Sequence, residues 1–209
     1  DLRLEPLVFN HRLPKKIAGV ADQITNFNEQ LEDRCKNDGV NKPRLIECNS
    51  LHLQLDYIRS VIVSQGYEDV GILFPSNDQV ESAYNYYTDK DFKVEFKAGY
   101  GRNSMTLDFS TSLPKMMTYH SAKGLQFEAV FLPGFKLSGN VNPAYVAITR
   151  SYRDLFILYS QPTDPFNHKV DKSLFEIHDE TNFNDSSNNS ELSSDLSLNE
   201  DELDEDLPF

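Results

Sequence analysis

Short, uninterrupted apolar runs bounded by turn signals constrain this chain more than any other feature. Val70-Gly71-Ile72-Leu73-Phe74, Ala129-Val130-Phe131-Leu132 and Leu155-Phe156-Ile157-Leu158-Tyr159 are such runs. Met116-Met117-Thr118-Tyr119 and Arg44-Leu45-Ile46-Glu47 read as further short strands, and Phe92, Val94 and Phe96 alternate like a half-buried one. A strand apolar on both faces must be covered on both faces. The covering segments are legible. Pro14 suits the first residue of a helix, with Ile17, Val20, Ala21, Ile24, Phe27 and Leu31 following at helical spacing. Ser50 caps a second helix carrying Leu51, Leu55, Ile58 and Ile62, and Gly66 ends it. Ser76 with Gln79 resembles a capping box before Val80, Ala83, Tyr84 and Tyr87. Asn142 and Pro143 open a last helix expected to reach about Arg153. Alternating strands and helices predict an α/β fold, a mainly parallel sheet with helices on both faces. Ligands are then expected at the carboxyl ends of the strands.

Composition matters chiefly through its unevenness. The net charge of −13 argues against nucleic-acid binding when taken whole. Residues 179–209, however, hold eleven acidic residues and no Lys or Arg, so residues 1–178 carry a net −2. The segment Asn182 to Ser190 is almost wholly Asn, Ser and Asp, too polar to offset its ordering entropy. The chain therefore divides into a globular part, 1–178, and an acidic tail, 179–209, expected to be disordered in isolation. No apolar run approaches the roughly 20 residues that span a bilayer. Cys35 and Cys48 form no CxxC pair and read as reduced thiols, which argues against a zinc site. The opening Asp1-Leu2-Arg3-Leu4 is no signal peptide and reads like the middle of a longer chain.

Three segments carry chemistry. Asn10-His11-Arg12-Leu13-Pro14 falls at a strand-to-helix turn, where an arginine offers a permanently charged donor fork to phosphate. Thr118-Tyr119-His120-Ser121-Ala122-Lys123-Gly124-Leu125-Gln126 joins two strands through a polar loop, and Gly124 admits positive φ or a close ligand approach. Tyr145-Val146-Ala147-Ile148-Thr149-Arg150 ends in an arginine able to stabilise charge on a transferring phosphoryl group. Read singly, each arginine is equally well explained by a surface ion pair.

Together and in order, these segments resemble the C-terminal half of UvrD/Rep/PcrA-type superfamily 1 helicases. Asn10-His11-Arg12 resembles motif IV, Ile72 to Asn77 motif IVa, Thr118 to Phe127 motif V and Tyr145 to Arg150 motif VI. The resemblance covers nearly all of residues 4–160 and implies a RecA-like second motor domain. It implies that Arg12 and Arg150 contact the γ-phosphate of ATP. It also implies that Lys123 and Gly124 lie beside the nucleotide, that Gln126 stands where the family commonly has a ribose-contacting Glu, and that His11 replaces an adenine-stacking Tyr. Thr118, Tyr119, His120, Ser76 and Asn77 would face single-stranded DNA. The family's accessory insertion between motifs IVa and V is missing; only Lys97 to Leu113 lie there, expected to form a loop or small hairpin.

The sequence holds no GxxxxGK[ST] phosphate loop and no Asp-Glu pair suited to Mg²⁺. The resemblance assigns both to a first RecA-like domain, so ATP and Mg²⁺ would be shared with that domain and this chain would not hydrolyse ATP alone. Its setting is expected to be cytoplasmic, bacterial or phage-like. The end Asp204-Glu205-Asp206-Leu207-Pro208-Phe209 resembles the tip of bacterial single-stranded-DNA-binding proteins. That suggests docking of a tip-recognising protein through Leu207, Pro208 and Phe209. The alternative function is a non-catalytic scaffold of a DNA repair complex that recruits partners through this tail.

Overall fold

The computed structural model describes residues 9–25, 30–99, 107–161 and 164–183. Phe27, Tyr100, Gly101 and the tip residues Leu207, Pro208 and Phe209 lie outside them. The strands are β1 (Asn10–Pro14), β2 (Cys35–Asn37), β3 (Arg44–Glu47), β4 (Val70–Phe74), β5 (Glu95–Lys97), β6 (Lys115–Thr118), β7 (Phe127–Leu132), β8 (Ser151–Tyr159) and β9 (Glu176–Asp179). The helices are α1 (Lys15–Ile24), α2 (Leu31–Arg34), α3 (Leu51–Gln65), α4 (Asn77–Asp89) and α5 (Asn142–Ile148). Strands β5-β6-β4-β7-β8-β3-β9 form one sheet, and β1-β2 form a second small one. Every pairing is parallel. No helix among the described residues is long and apolar enough to cross a membrane.

Side-chain alternation explains the layers. Successive residues of a strand point to opposite faces, and both faces of the central strands are apolar. Leu73, Met117, Val130, Leu132, Leu155 and Ile157 pack on one side with α1 and α5. Ile72, Phe74, Met116, Phe131, Phe156 and Leu158 pack on the other with α3 and α4. Gly71 sits among them for lack of space: a Cβ there would lie 2.6 Å from the Phe127 ring.

Local signals hold where they are strong. Ser50 accepts a hydrogen bond from the Leu53 amide and Gly66 closes α3 in the left-handed region. Ser76 caps α4 by accepting from the Gln79 amide. Four expectations need correction. The first helix stops at Ile24, because Thr25 is extended, and Leu31 opens α2 instead. Phe92 belongs to the turn after α4, its amide bonded to the Tyr87 carbonyl at 2.9 Å, so the strand there is only β5. The last core helix ends at Ile148, since Ser151 already pairs with Phe127 in β8. The division at 178 falls inside β9, which pairs with β3 from Arg44↔Glu176 to Glu47↔Asp179. Beyond it the Glu180 amide bonds the Glu47 carbonyl and Phe183 packs edge-on against Tyr57.

Candidate functional site

The candidate residues divide between the two ends of the sheet, and the segment from Tyr119 to Gln126 runs from one end to the other. It leaves the carboxyl end of β6 and enters the amino end of β7, crossing to the far side of β4. Eight residues reach at most about 28 Å when extended, enough to pass a short strand without a full helix.

At the amino ends, three parts of the chain converge. The carboxamide oxygen of Asn10 accepts from the amides of Arg12 and Leu13, each at 3.0 Å. Asn37 donates to the Arg12 carbonyl at 3.1 Å. So held, Arg12 donates through Nη1 to the Gln126 carboxamide oxygen at 3.0 Å. Arg150 stands in the turn between α5 and β8. It donates to the carbonyls of Val146 (2.8 Å) and Leu125 (3.2 Å) and to the Thr149 hydroxyl (2.9 Å). Burial pushes its pKa down from the ordinary value, yet a guanidinium remains charged at neutral pH. The Arg150 carbonyl in turn accepts from the Phe127 amide at 2.9 Å. Arginines 138 positions apart in the chain thus engage consecutive residues, Leu125 and Gln126.

His11, Arg12, Asn37, Gln126 and Tyr152 line an open cavity of about 440 Å³. That is within the range of small-molecule sites. Asn37 and Tyr152 are the members that sequence reasoning missed. Arg150, Lys123 and Gly124 do not line it. Lys123 and Gly124 are exposed in the crossover. Gly124 has φ +87, and a Cβ added there would meet open space, so backbone conformation, and not a close approach, explains the glycine.

At the carboxyl ends, the β4–β6 register places Phe74 beside Thr118, so Ser76 and Asn77 neighbour the start of the crossover. Ser76 and His120 are exposed and Asn77 is partly so. Thr118 is mostly buried; its hydroxyl donates to the Ser121 hydroxyl at 3.1 Å and accepts from the Ser121 amide at 3.2 Å. Tyr119 corrects the expectation of a DNA-facing residue. It is 5% exposed, packs in the core with Met117 and Phe127, and its buried hydroxyl has no hydrogen-bond partner. Burial raises its pKa well above the ordinary phenol value. The amide of Tyr119 bonds the Phe74 carbonyl at 2.8 Å, extending the β6 pairing by one residue, so alternation leaves the ring on the same side as Met117.

Cys35 and Cys48 are free and buried. Burial pushes both thiols up, Cys48 to about 12, so neither supplies a reactive thiolate at neutral pH. Among the described residues no group of three or more His, Cys, Asp or Glu is placed to hold a metal ion.

An all-parallel seven-stranded sheet with helices on both faces is the α/β arrangement that RecA-like domains share. Comparison with solved structures agrees on the fold. The C-terminal domain of a possible DNA helicase from Lactobacillus plantarum WCFS1 superposes with TM-score 0.57 at 14% identity, over 80% of this chain and 98% of that one. The DEAD-box protein SrmB of E. coli, solved bound to regulator of ribonuclease activity A, gives TM-score 0.49 at 13% identity over 67% and 90%, a likeness too loose to argue from. No family model and no curated protein matches the sequence.

Proposed function

We propose that this chain is the second motor domain of an ATP-dependent DNA helicase or translocase of the UvrD/Rep/PcrA type. The observation that carries the reading is the meeting of Arg12 and Arg150 on Leu125 and Gln126, at one end of a crossover whose other end opens beside Ser76 and His120. Two charged forks, two carboxamides and an imidazole at and beside a 440 Å³ cavity fit a nucleotide polyphosphate. ATP with Mg²⁺ supplies the phosphoryl group that is transferred to water, and a first RecA-like domain supplies the phosphate loop and the metal ligands. Arg12 exchanges a neutral carboxamide acceptor for a charged oxygen, a gain because charge-assisted hydrogen bonds are roughly twice as strong. Arg150 stays anchored through its Nε bond to Val146 while its outer nitrogens stabilise phosphoryl charge. His120, Ser76 and Asn77 hold the backbone of a single strand and position it without reading its sequence.

The test is ATP hydrolysis by the full reading frame that contains this chain, with and without single-stranded DNA. Strand-stimulated hydrolysis that Arg150→Ala abolishes supports the reading. Hydrolysis and unwinding that survive Arg150→Ala overturn it.

A further inference from the structure

The burial of β8 opens with an irregularity. Ser151 is buried, Tyr152 and Arg153 are both exposed, and Asp154 is buried again. In a regular strand, neighbours alternate between faces, so two consecutive exposed residues do not occur on a covered sheet. The register supplies the cause. From Phe127↔Ser151 to Ala129↔Asp154, β7 advances two residues and β8 advances three. One extra residue in β8 is a β-bulge, a feature that re-aims side chains and concentrates beside functional sites.

The bulge is built and held. The Ser151 hydroxyl donates to the Asp154 carbonyl at 2.8 Å and accepts from the Arg153 amide at 3.2 Å, closing a small loop around the extra residue. Arg153 turns to Glu128 and Asp154. Tyr152 lines the cavity of His11, Arg12, Asn37 and Gln126, where it is 38% exposed. Burial and the nearby Asp69 carboxylate push its phenol pKa up from the ordinary value. An aromatic ring lining a concave site next to a cation is the chemistry that binds a nucleobase attached to phosphates, because every base offers a π-face.

We infer that Tyr152 is the base-stacking residue of this pocket and that the β8 bulge exists to place its ring there. The inference rests on the nucleotide reading above and adds to it a base-binding side chain outside the segments that carry the phosphate chemistry. His11 offers a smaller ring in the same cavity; Tyr152 supplies the larger stacking area.

The experiment separates the base from the phosphates. Calorimetric titration of the full reading frame with Mg²⁺-ATP and with Mg²⁺-tripolyphosphate gives two dissociation constants for each variant. Tyr152→Ala is expected to weaken ATP binding on the order of tenfold and to leave tripolyphosphate unchanged. Tyr152→Phe keeps the ring without its hydroxyl and is expected to bind ATP like the parent. Equal losses for both ligands in Tyr152→Ala, no loss for ATP, or a loss in Tyr152→Phe matching that in Tyr152→Ala each overturn the stacking role. If the parent binds tripolyphosphate and ATP equally, the stacking role fails while the phosphate site stands. If the parent binds neither, the nucleotide reading falls and takes this inference with it.

Discussion

At the amino ends of β7 and β8 the candidate side chains are tied to one another and to backbone: Arg12 to Gln126, Arg150 to Leu125, Val146 and Thr149. At the carboxyl ends of β4 and β6, Ser76 and His120 are exposed, Ser76 also capping α4 through the Gln79 amide, while Thr118 is tied down to Ser121. A preorganised end suits ligands whose charge must be met at fixed positions. An open end suits a long polymer held by many weak backbone contacts. The crossover 119–126 belongs to both ends, so a ligand at either one acts on the same short segment.

Arg150→Ala separates the two ends most sharply. Loss of a charge-stabilising arginine is expected to lower turnover about 10³-fold or more, while the dissociation constant for single-stranded DNA, measured by fluorescence anisotropy, changes little. A comparable loss of strand affinity would show that the ends are not distinct. Gly71→Ala comes next. The new methyl would press on the Phe127 ring, and overpacking of this kind costs about 1–3 kcal/mol. Chemical denaturation should show that loss, and Phe127→Leu in the same chain should recover part of it. Full stability in Gly71→Ala alone would contradict the packing described.

His120→Ala probes the open end. Losing one exposed polar contact is expected to weaken strand binding about fivefold, near 1 kcal/mol, with unstimulated hydrolysis unaltered. An equal fall in unstimulated hydrolysis would place His120 at the other end. Tyr119→Phe has a comparably small effect and an instructive sign. Removing a buried hydroxyl that lacks a partner should stabilise the fold by about 1 kcal/mol and leave strand affinity unchanged. Weaker strand binding without a stability gain would restore Tyr119 to the strand-facing set.

How much is legible in the sequence follows from where each signal resides. Ser50, Gly66 and the apolar run at 70–74 are local signals, and α3 and β4 begin and end where those residues dictate. The helical pattern of α5 runs on toward Arg153, but its boundary is set by pairing, Ser151 against Phe127, a partner 24 positions away. Tyr119 turns inward against expectation because the β6 pairing continues one residue past Thr118 and alternation puts its ring on the Met117 side. Arg12 and Gln126 both stand out in sequence, but their contact spans 114 positions and needs the fold. Tyr152 gives no usable signal: a bulge is a property of two strands in register. The one trace is a Tyr-Arg pair between Ser151 and Asp154, polar residues that open an otherwise apolar strand.

The most direct measurement is amide hydrogen exchange across residues 119–126 in the full reading frame, with a non-hydrolysable ATP analogue and a short single-stranded DNA added separately. The account predicts that each ligand alone slows exchange in this segment, the nucleotide chiefly toward Gln126 and the strand chiefly toward His120. If either ligand binds and leaves the segment's exchange unchanged, the crossover does not link the two ends and the account is contradicted.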